Sequence, residues 1–500
     1  MDLLYNNHFR TTRYETATRL FNSLSHLFSK FSPVRLWKSA PLSTGEARTL
    51  LTLMLPILLT QVAQAAFGLV DTIMAGRVSP ADLASVALGV GFWLPLLLLI
   101  SGILQATTAL VAQAFGARKL DEESIHKIPL ITRQALWLAF ALGLAGLALL
   151  QLSPLLFTPL EMPSALQEKT RLFLFGISFG MPAIAFYTTL RCYTEALGRP
   201  RPVTTISVIG LILTVPTNYL FIYGFKIGTI HVPALGGAGC GFSTAIIEWF
   251  MLIALAVYLS FAKPYRNIRI FSHFNPPDFS LIRRIIVLGF PIGIAIFFEV
   301  TLFSFAAIVL SPLGDTVIAA HQVALSATSQ LFMIPLSLAT AVTIRMGQFY
   351  GQQDAAAMRR LRRVGLTLGS CLALLSMSFI AMFRHDIAAI YSRDLHVQAL
   401  AATLLLFAMA YQLADSWQVT TAGCLRGMQD TSVPMLITFF AYWVVAFPTG
   451  ILLSRVFNYG AQGFWFGLLL GLAVAATLLL LRLRVRERRV ARQFEAPLGK

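Results

Sequence analysis

Charge is what this 500-residue chain has least of: only 12% of its residues are Asp, Glu, Lys or Arg. Soluble globular chains carry about 25%, and a chain that is 57% hydrophobic with a mean hydropathy of +0.72 has too little polar surface to stay dissolved. Cysteine is equally scarce. Cys192, Cys240, Cys371 and Cys424 match no zinc or redox spacing, and all sit in or beside apolar runs, so they read as packing residues. HExxH and Walker A sequences are absent, as is any clustered intramembrane His/Asp set. These absences argue against a membrane-embedded enzyme and against ATP-driven transport by this chain alone. The net charge of +17 does not form a basic face with RNA-reading aromatics, so nucleic acid is not an expected partner.

Apolar runs of spanning length are abundant. A transmembrane helix needs about 20 apolar residues. Candidates are 49–74, 84–112, 130–152, 170–190, 203–224, 238–262, 284–311, 317–344, 365–384, 397–423, 434–454 and 461–481. Pro56, Pro95, Pro216, Pro291, Pro335 and Pro448 fall inside them, where a membrane helix tolerates a kink. The expected fold is an all-α membrane protein of twelve helices. Sorting the 39 Lys and Arg residues by alternate loops puts 32 on the side that holds both ends. By the positive-inside rule both termini are expected in the cytoplasm of a bacterial inner-membrane protein. That tally assigns Arg191 and Arg426, which close the fourth and tenth spans, to the cytoplasmic interface by snorkelling.

Residues 1–48 show no continuous apolar core of a signal peptide. Leu20, Leu24, Leu27, Phe28 and Phe31 share a helical face beside Arg19, Lys30 and Arg35, so an interfacial helix is one reading. A loosely ordered tail, or a start site placed too early, is the other. The remaining expected divisions are a first lobe over 49–262, a linker over 263–283, a second lobe over 284–481 and a basic tail over 482–500.

The chain repeats itself. Pro56 and Gln113-Ala-Phe-Gly116 recur as Pro291 and Gln348-Phe-Tyr-Gly351, offset by 235. Leu190-Arg191 recurs as Leu425-Arg426 at the same offset, and Pro216-Thr217 as Pro448-Thr449. Each half then holds six helices. Six is even, so the halves share one orientation and are related by a pseudo-two-fold along the membrane normal. That is the plan of carriers that alternate access between two bundles.

Ionisable groups inside spans are costly, about 2.5–3.5 kcal/mol for an Asp or Lys at a helix centre, and usually mark a cavity or a partner. Five occur here: Asp71, Glu248, Glu299, His321 and Asp415. Glu299 and Asp415 belong to the second half, and Tyr411 lies one turn before Asp415 on the same face. Converging, they make an oxygen-lined site that exchanges Na⁺ against H⁺ as a coupled unit; held neutral by hydrogen bonds, they are only structural. Asp71 is the first-half candidate for a proton or cationic substrate, or an interfacial acid. Asn218 suits either that site or bundle glue. His321, followed by Gln322, suits a proton relay or a packing role. Glu248 has no evident partner. Phe67, Trp93, Phe298, Phe332, Trp417, Tyr442 and Trp443 suit a cavity for flat cations, or packing.

Residues 45–485 resemble the multidrug and toxic compound extrusion (MATE) family, in particular its NorM-type bacterial branch. The resemblance is carried by Gly68-Leu-Val-Asp-Thr-Ile-Met-Ala-Gly76, Phe297-Phe-Glu-Val-Thr-Leu-Phe303, Ala320-His-Gln-Val-Ala-Leu325, Tyr411-Gln-Leu-Ala-Asp415 and Gly423-Cys-Leu-Arg-Gly427. It implies two six-helix lobes and export of cationic, amphiphilic drugs driven by Na⁺ or H⁺ entry, with no other cofactor and no catalysis. The chain is then expected to act as a monomer among membrane lipids. The resemblance also implies Na⁺ at Glu299 and Asp415 with Tyr411, and a coupling or substrate role for Asp71 with Asn218. His321 and Gln322 match a family motif. Glu248 and Thr214 depart from the pattern. A lipid-linked glycan flippase is the alternative, disfavoured because nearly all Lys and Arg lie outside the spans.

Overall fold

The computed structural model describes residues 44–118, 120–121, 123–159, 162–227, 230–265, 268, 270–273 and 275–495. The segment read as amphipathic therefore lies, through residue 43, outside the described residues. Among the described residues eleven helices are long and apolar enough to cross a membrane, and a bent pair supplies a twelfth span.

The first six spans are α1 (Thr44–Gly76), α2 (Pro80–Leu104) continued by α3 (Ala106–Ala117), α4 (Ser124–Leu152), α5 (Ser164–Ser178) with α6 (Gly180–Ala196), α7 (Arg201–Tyr223) and α8 (Gly239–Phe261). The second six are α9 (Phe279–Leu310), α10 (Asp315–Gly351), α11 (Ala355–Tyr391), α12 (Leu395–Gly427), α13 (Ser432–Phe439) with α14 (Phe447–Ile451) and intervening π-helical turns, and α15 (Gly460–Glu495). Two three-residue strands, Phe225–Ile227 and Ile230–Val232, form an antiparallel hairpin between α7 and α8. The hydropathy pattern held no sign of this hairpin.

Local signals explain the helix starts. Ser79 caps α2 by accepting from the Asp82 amide, with Pro80 supplying a helix-ready φ and no wasted donor. Asp278, Asp354 and Asp394 cap α9, α11 and α12 through their carboxylates. Large apolar side chains such as Leu69, Ile212, Ile308 and Met382 stand exposed. In water they would drive aggregation; on a membrane protein such surfaces face lipid.

Several boundaries move. The first span begins at Thr44, ahead of residue 49. Span seven begins at Phe279, inside the stretch read as linker, because Asp278 caps it there. The rest of that stretch is pinned to α4: Gln134 donates to the Pro276 carbonyl, Trp137 to Asn275 and Arg133 to Ile270. Residues 482–495, read as a tail, continue α15. Val490 is fully buried, Arg482 pairs with Asp430 at 2.7 Å, and Phe494 packs on Tyr350. Span four is not one helix: α5 and α6 meet at 41° around Phe179.

The two halves meet along α2–α3 with α9 and α10. A Cβ added to Gly102 would stand 2.4 Å from Gly293 Cα, and one on Gly289 would stand 2.0 Å from the Ile103 carbonyl oxygen. The helices touch backbone to backbone, which only glycine permits. The crossing of α3 and α10 is reciprocal: a Cβ on Gly116 would meet the Gln348 carbonyl oxygen at 2.0 Å, and one on Gly351 would meet that of Gln113 at 2.0 Å. Gln113 Nε2 reaches the Gly427 carbonyl (2.9 Å), and Gln348 Nε2 reaches that of Ala196 (3.1 Å). Arg345 pairs with Glu46 at the same end. The repeated Gln-x-x-Gly motifs thus hold one end of the two halves together.

Candidate functional site

In the second half, α9 brings Glu299 and α12 brings Tyr411 and Asp415, the latter two nearly buried. Glu299 and Asp415 stand within electrostatic reach of each other, and the Tyr411 and Tyr442 hydroxyls feel both carboxylates. Glu299, Gln418 and Arg426 line one small cavity with Thr431, Pro434 and Thr438. The cavity encloses about 30 Å³, room for roughly two waters. Gln418 and the Tyr442 hydroxyl are buried beside each other with no well-formed hydrogen bond to Gln418 Oε1. Loosely satisfied buried oxygens are costly, and near two carboxylates they make a donor set suited to a hard cation. Among the described residues no three His, Cys, Asp or Glu side chains are grouped to hold a metal ion. Two carboxylates with neutral oxygens would have to form any sodium site.

Arg426 corrects the snorkelling assignment. It turns back into the lobe, where its guanidinium sits within reach of Glu299. Arg191 does the same in the first half, donating Nη1 to Gln64 Oε1 at 3.0 Å. A helix-terminal arginine looks the same in sequence whichever way it bends; the 235-residue repeat of the pair was the available signal.

His321 is fully buried, and its Nδ1 accepts from Trp465 Nε1 at 3.2 Å. An accepting Nδ1 places any proton of the neutral ring on Nε2, which has no well-formed partner. Trp465 also stacks on Tyr411, with centroids 6.3 Å apart and planes 16° from parallel. His321 is thus joined to Tyr411, and through it to the carboxylate group, by one indole. Gln322 is exposed and is not brought to that cluster. Of the aromatics, Phe298, Phe439 and Trp443 group together, Trp443 donating to the Phe298 carbonyl, while Trp417 donates to Ser370.

In the first half, the Asp71 carboxylate is held from two helices. Asn218 Nδ2 donates to Oδ1 at 2.7 Å, and Thr244 Oγ1 to Oδ2 at 3.1 Å. Asp71 is buried, not an acid reaching water at the interface. Thr214 donates to its own helix at Gly210 and takes no part. Thr244, a partner that sequence reasoning missed, comes from α8, far along the chain. Glu248 lies one turn beyond Thr244, within electrostatic reach of Arg191. It is described further below.

The sequence profile of the MatE family matches residues 56–220 and 291–452, once in each half and starting at each repeated proline. The chain belongs to the MATE family. It is 54% identical over 448 residues to the probable multidrug resistance protein NorM of Acinetobacter baylyi, covering 90% of this chain and 98% of that protein. It is 42% identical over 465 residues to the multidrug resistance protein PmpM of Pseudomonas aeruginosa, covering 91% and 96%. Its fold matches a MATE crystal structure in a bent conformation with a TM-score of 0.81 at 19% identity, covering 90% and 97%. The eukaryotic MATE transporter AtDTX14 matches with a TM-score of 0.76 at 19% identity, covering 90% and 99%. The chain is therefore a multi-pass membrane protein with the two-lobe MATE architecture. The MATE pseudo-two-fold accounts for the paired Pro, Gln-x-x-Gly and Leu-Arg motifs.

Proposed function

We propose that this protein exports cationic, amphiphilic drugs and dyes in exchange for Na⁺ or H⁺. The relatives' names support efflux. The observation that supports ion coupling is that Glu299 and Asp415, from two spans, stand within electrostatic reach of each other and of Tyr411, with Glu299 lining a small cavity beside Gln418 and Arg426. Two carboxylates and the Arg426 guanidinium leave one negative charge uncompensated. A single Na⁺ or H⁺ cancels it, and removing a lone buried charge is worth several kcal/mol. The cluster therefore favours different lobe arrangements when loaded and empty, which is what moves a two-state equilibrium.

Asp71 serves the first lobe, as a proton or cationic-substrate site held in place by Asn218 and Thr244. His321 joins the second-lobe cluster through Trp465, and Gln322 is left without a task. Both termini lie in the cytoplasm of a bacterial inner membrane, on the 32-to-7 split of basic residues. The end closed by Gln113 and Gln348 is then the cytoplasmic one, and the arrangement described faces outward. One chain holds both lobes, so a monomer suffices, with membrane lipids as its only constant neighbours.

Proteoliposomes with a Na⁺ gradient and a proton gradient imposed separately test this reading. Glu299→Gln and Asp415→Asn should abolish dye movement under whichever gradient drives the wild type, with expression intact. Full transport by both variants refutes the coupling role.

A further inference from the structure

The pseudo-two-fold maps the second-lobe ion cluster onto specific first-lobe positions. At the offset of 235, Arg426 corresponds to Arg191, Glu299 to Gln64 and Asp415 to Gly180. The guanidinium is kept, while both carboxylates are replaced by neutral residues. The Arg191–Gln64 hydrogen bond shows that the correspondence is spatial: the pair sits as Arg426 and Glu299 do, but without the acid. Arg191 is half-buried with its Nε sealed from solvent, and such a guanidinium with no counter-charge is costly. The lobe supplies acids from elsewhere. Glu195 comes from one turn along α6, and Glu248 from α8. Both stand within electrostatic reach of Arg191.

These acids do not form a locked structural pair. Close ion pairs among the described residues include Lys169–Asp82, Arg345–Glu46, Arg362–Glu487 and Arg482–Asp430. Neither Glu195 nor Glu248 approaches Arg191 to that distance. Arg191 Nε is buried with no partner. One guanidinium faces two carboxylates that do not close on it, so the group is one positive charge short. The other titratable neighbours are Tyr187, tied to Ser207, and Cys192. Neither supplies a cation. Asp71 lies beyond Thr244, one turn from Glu248 on α8.

We propose that Glu248, with Arg191 and Glu195, forms a second exchangeable-proton site in the first lobe, the counterpart of the Glu299–Asp415 cluster. A proton fits better than Na⁺, because the Gln64 amide oxygen beside Arg191 already accepts from that guanidinium. The proton moves onto a Glu248 carboxylate oxygen and returns to water; no other bond changes. Its use in transport rests on the cation-coupled reading above, but the site itself does not.

Infrared difference spectra of the purified full chain in lipid, recorded against pH, read protonated carboxyl groups directly. The wild type should show a titrating carboxyl C=O component that is lost in Glu248→Gln and kept in Glu299→Gln and Asp415→Asn. Glu248→Asp should keep that component at a displaced frequency, which covers the case that Glu248→Gln does not fold. Spectra of Glu248→Gln, or of Glu248→Asp, that superimpose on the wild type overturn the proposal. This readout needs no transport, so it stands or falls separately from the efflux assay.

Discussion

Replacing Gly116 by alanine puts a methyl group where the Gln348 carbonyl oxygen now lies, 2.0 Å away. Ordinary contact begins at 3.4 Å, so the two backbones must separate by about 1.4 Å. No rotamer relieves the overlap, because the obstructing atom is main chain. Overpacking of this kind costs about 1–3 kcal/mol per site. The contact joins the two lobes, so the strain is relieved by their parting at that end and not by unfolding either one. A penalty of that size shifts a two-state equilibrium about 5- to 150-fold. Gly351→Ala imposes the same overlap from the other side, on Gln113. Pulsed electron–electron resonance can read the outcome. Spin labels go on Leu120→Cys and Ala356→Cys, exposed positions just past the crossing, in a background with the exposed Cys371 replaced by serine. Gly116→Ala should add a longer-distance population, and the double variant should enlarge it. Distance distributions unchanged in the double variant would show that this crossing is not what holds the lobes shut.

Two further outcomes follow from the geometry. Asp82 is buried and accepts from Lys169 Nζ (2.9 Å), the Gly237 amide (2.9 Å) and Ser79 Oγ, so Asp82→Ala should lower stability by about 1–3 kcal/mol. Thermal unfolding in detergent measures this, and an unchanged midpoint would show that these bonds are replaced by water at no cost. Trp465→Phe removes the donor to His321 but keeps the ring on Tyr411; it should cost about 1 kcal/mol and slow dye efflux, while equal efflux would limit His321 to packing.

The span count, the repeat and the main acids were legible because hydrocarbon imposes long apolar runs and makes buried charge rare. Asp71, Glu299 and Asp415 stand out by that rarity, Tyr411 by its one-turn spacing from Asp415, and Asn218 beside Asp71 through the family resemblance. Besides the hairpin and Thr244, three features were not legible. Arg191 and Arg426 were counted as interfacial, since helix-end position says nothing about which way a long side chain bends. The bend at Phe179 lies in a run whose hydropathy is unbroken, although Gly180 and Pro182 stand beside it. The helical course of residues 482–495 was hidden by their basic composition. Docking of Val490 and Phe494 beneath spans eight to ten outweighs the solvation of those arginines.

The reciprocal crossing of α3 and α10 behaves like an isologous dimer interface folded into one polypeptide: what the first motif does to the second, the second does to the first. A substitution there is met by its mirror-image neighbour, so the duplicated segments are bound to stay matched. The positions proposed for ion binding make no such reciprocal contact and carry no such obligation. Gln64 could part company with Glu299, and Gly180 with Asp415, leaving each lobe free to specialise while the seam between them kept its symmetry.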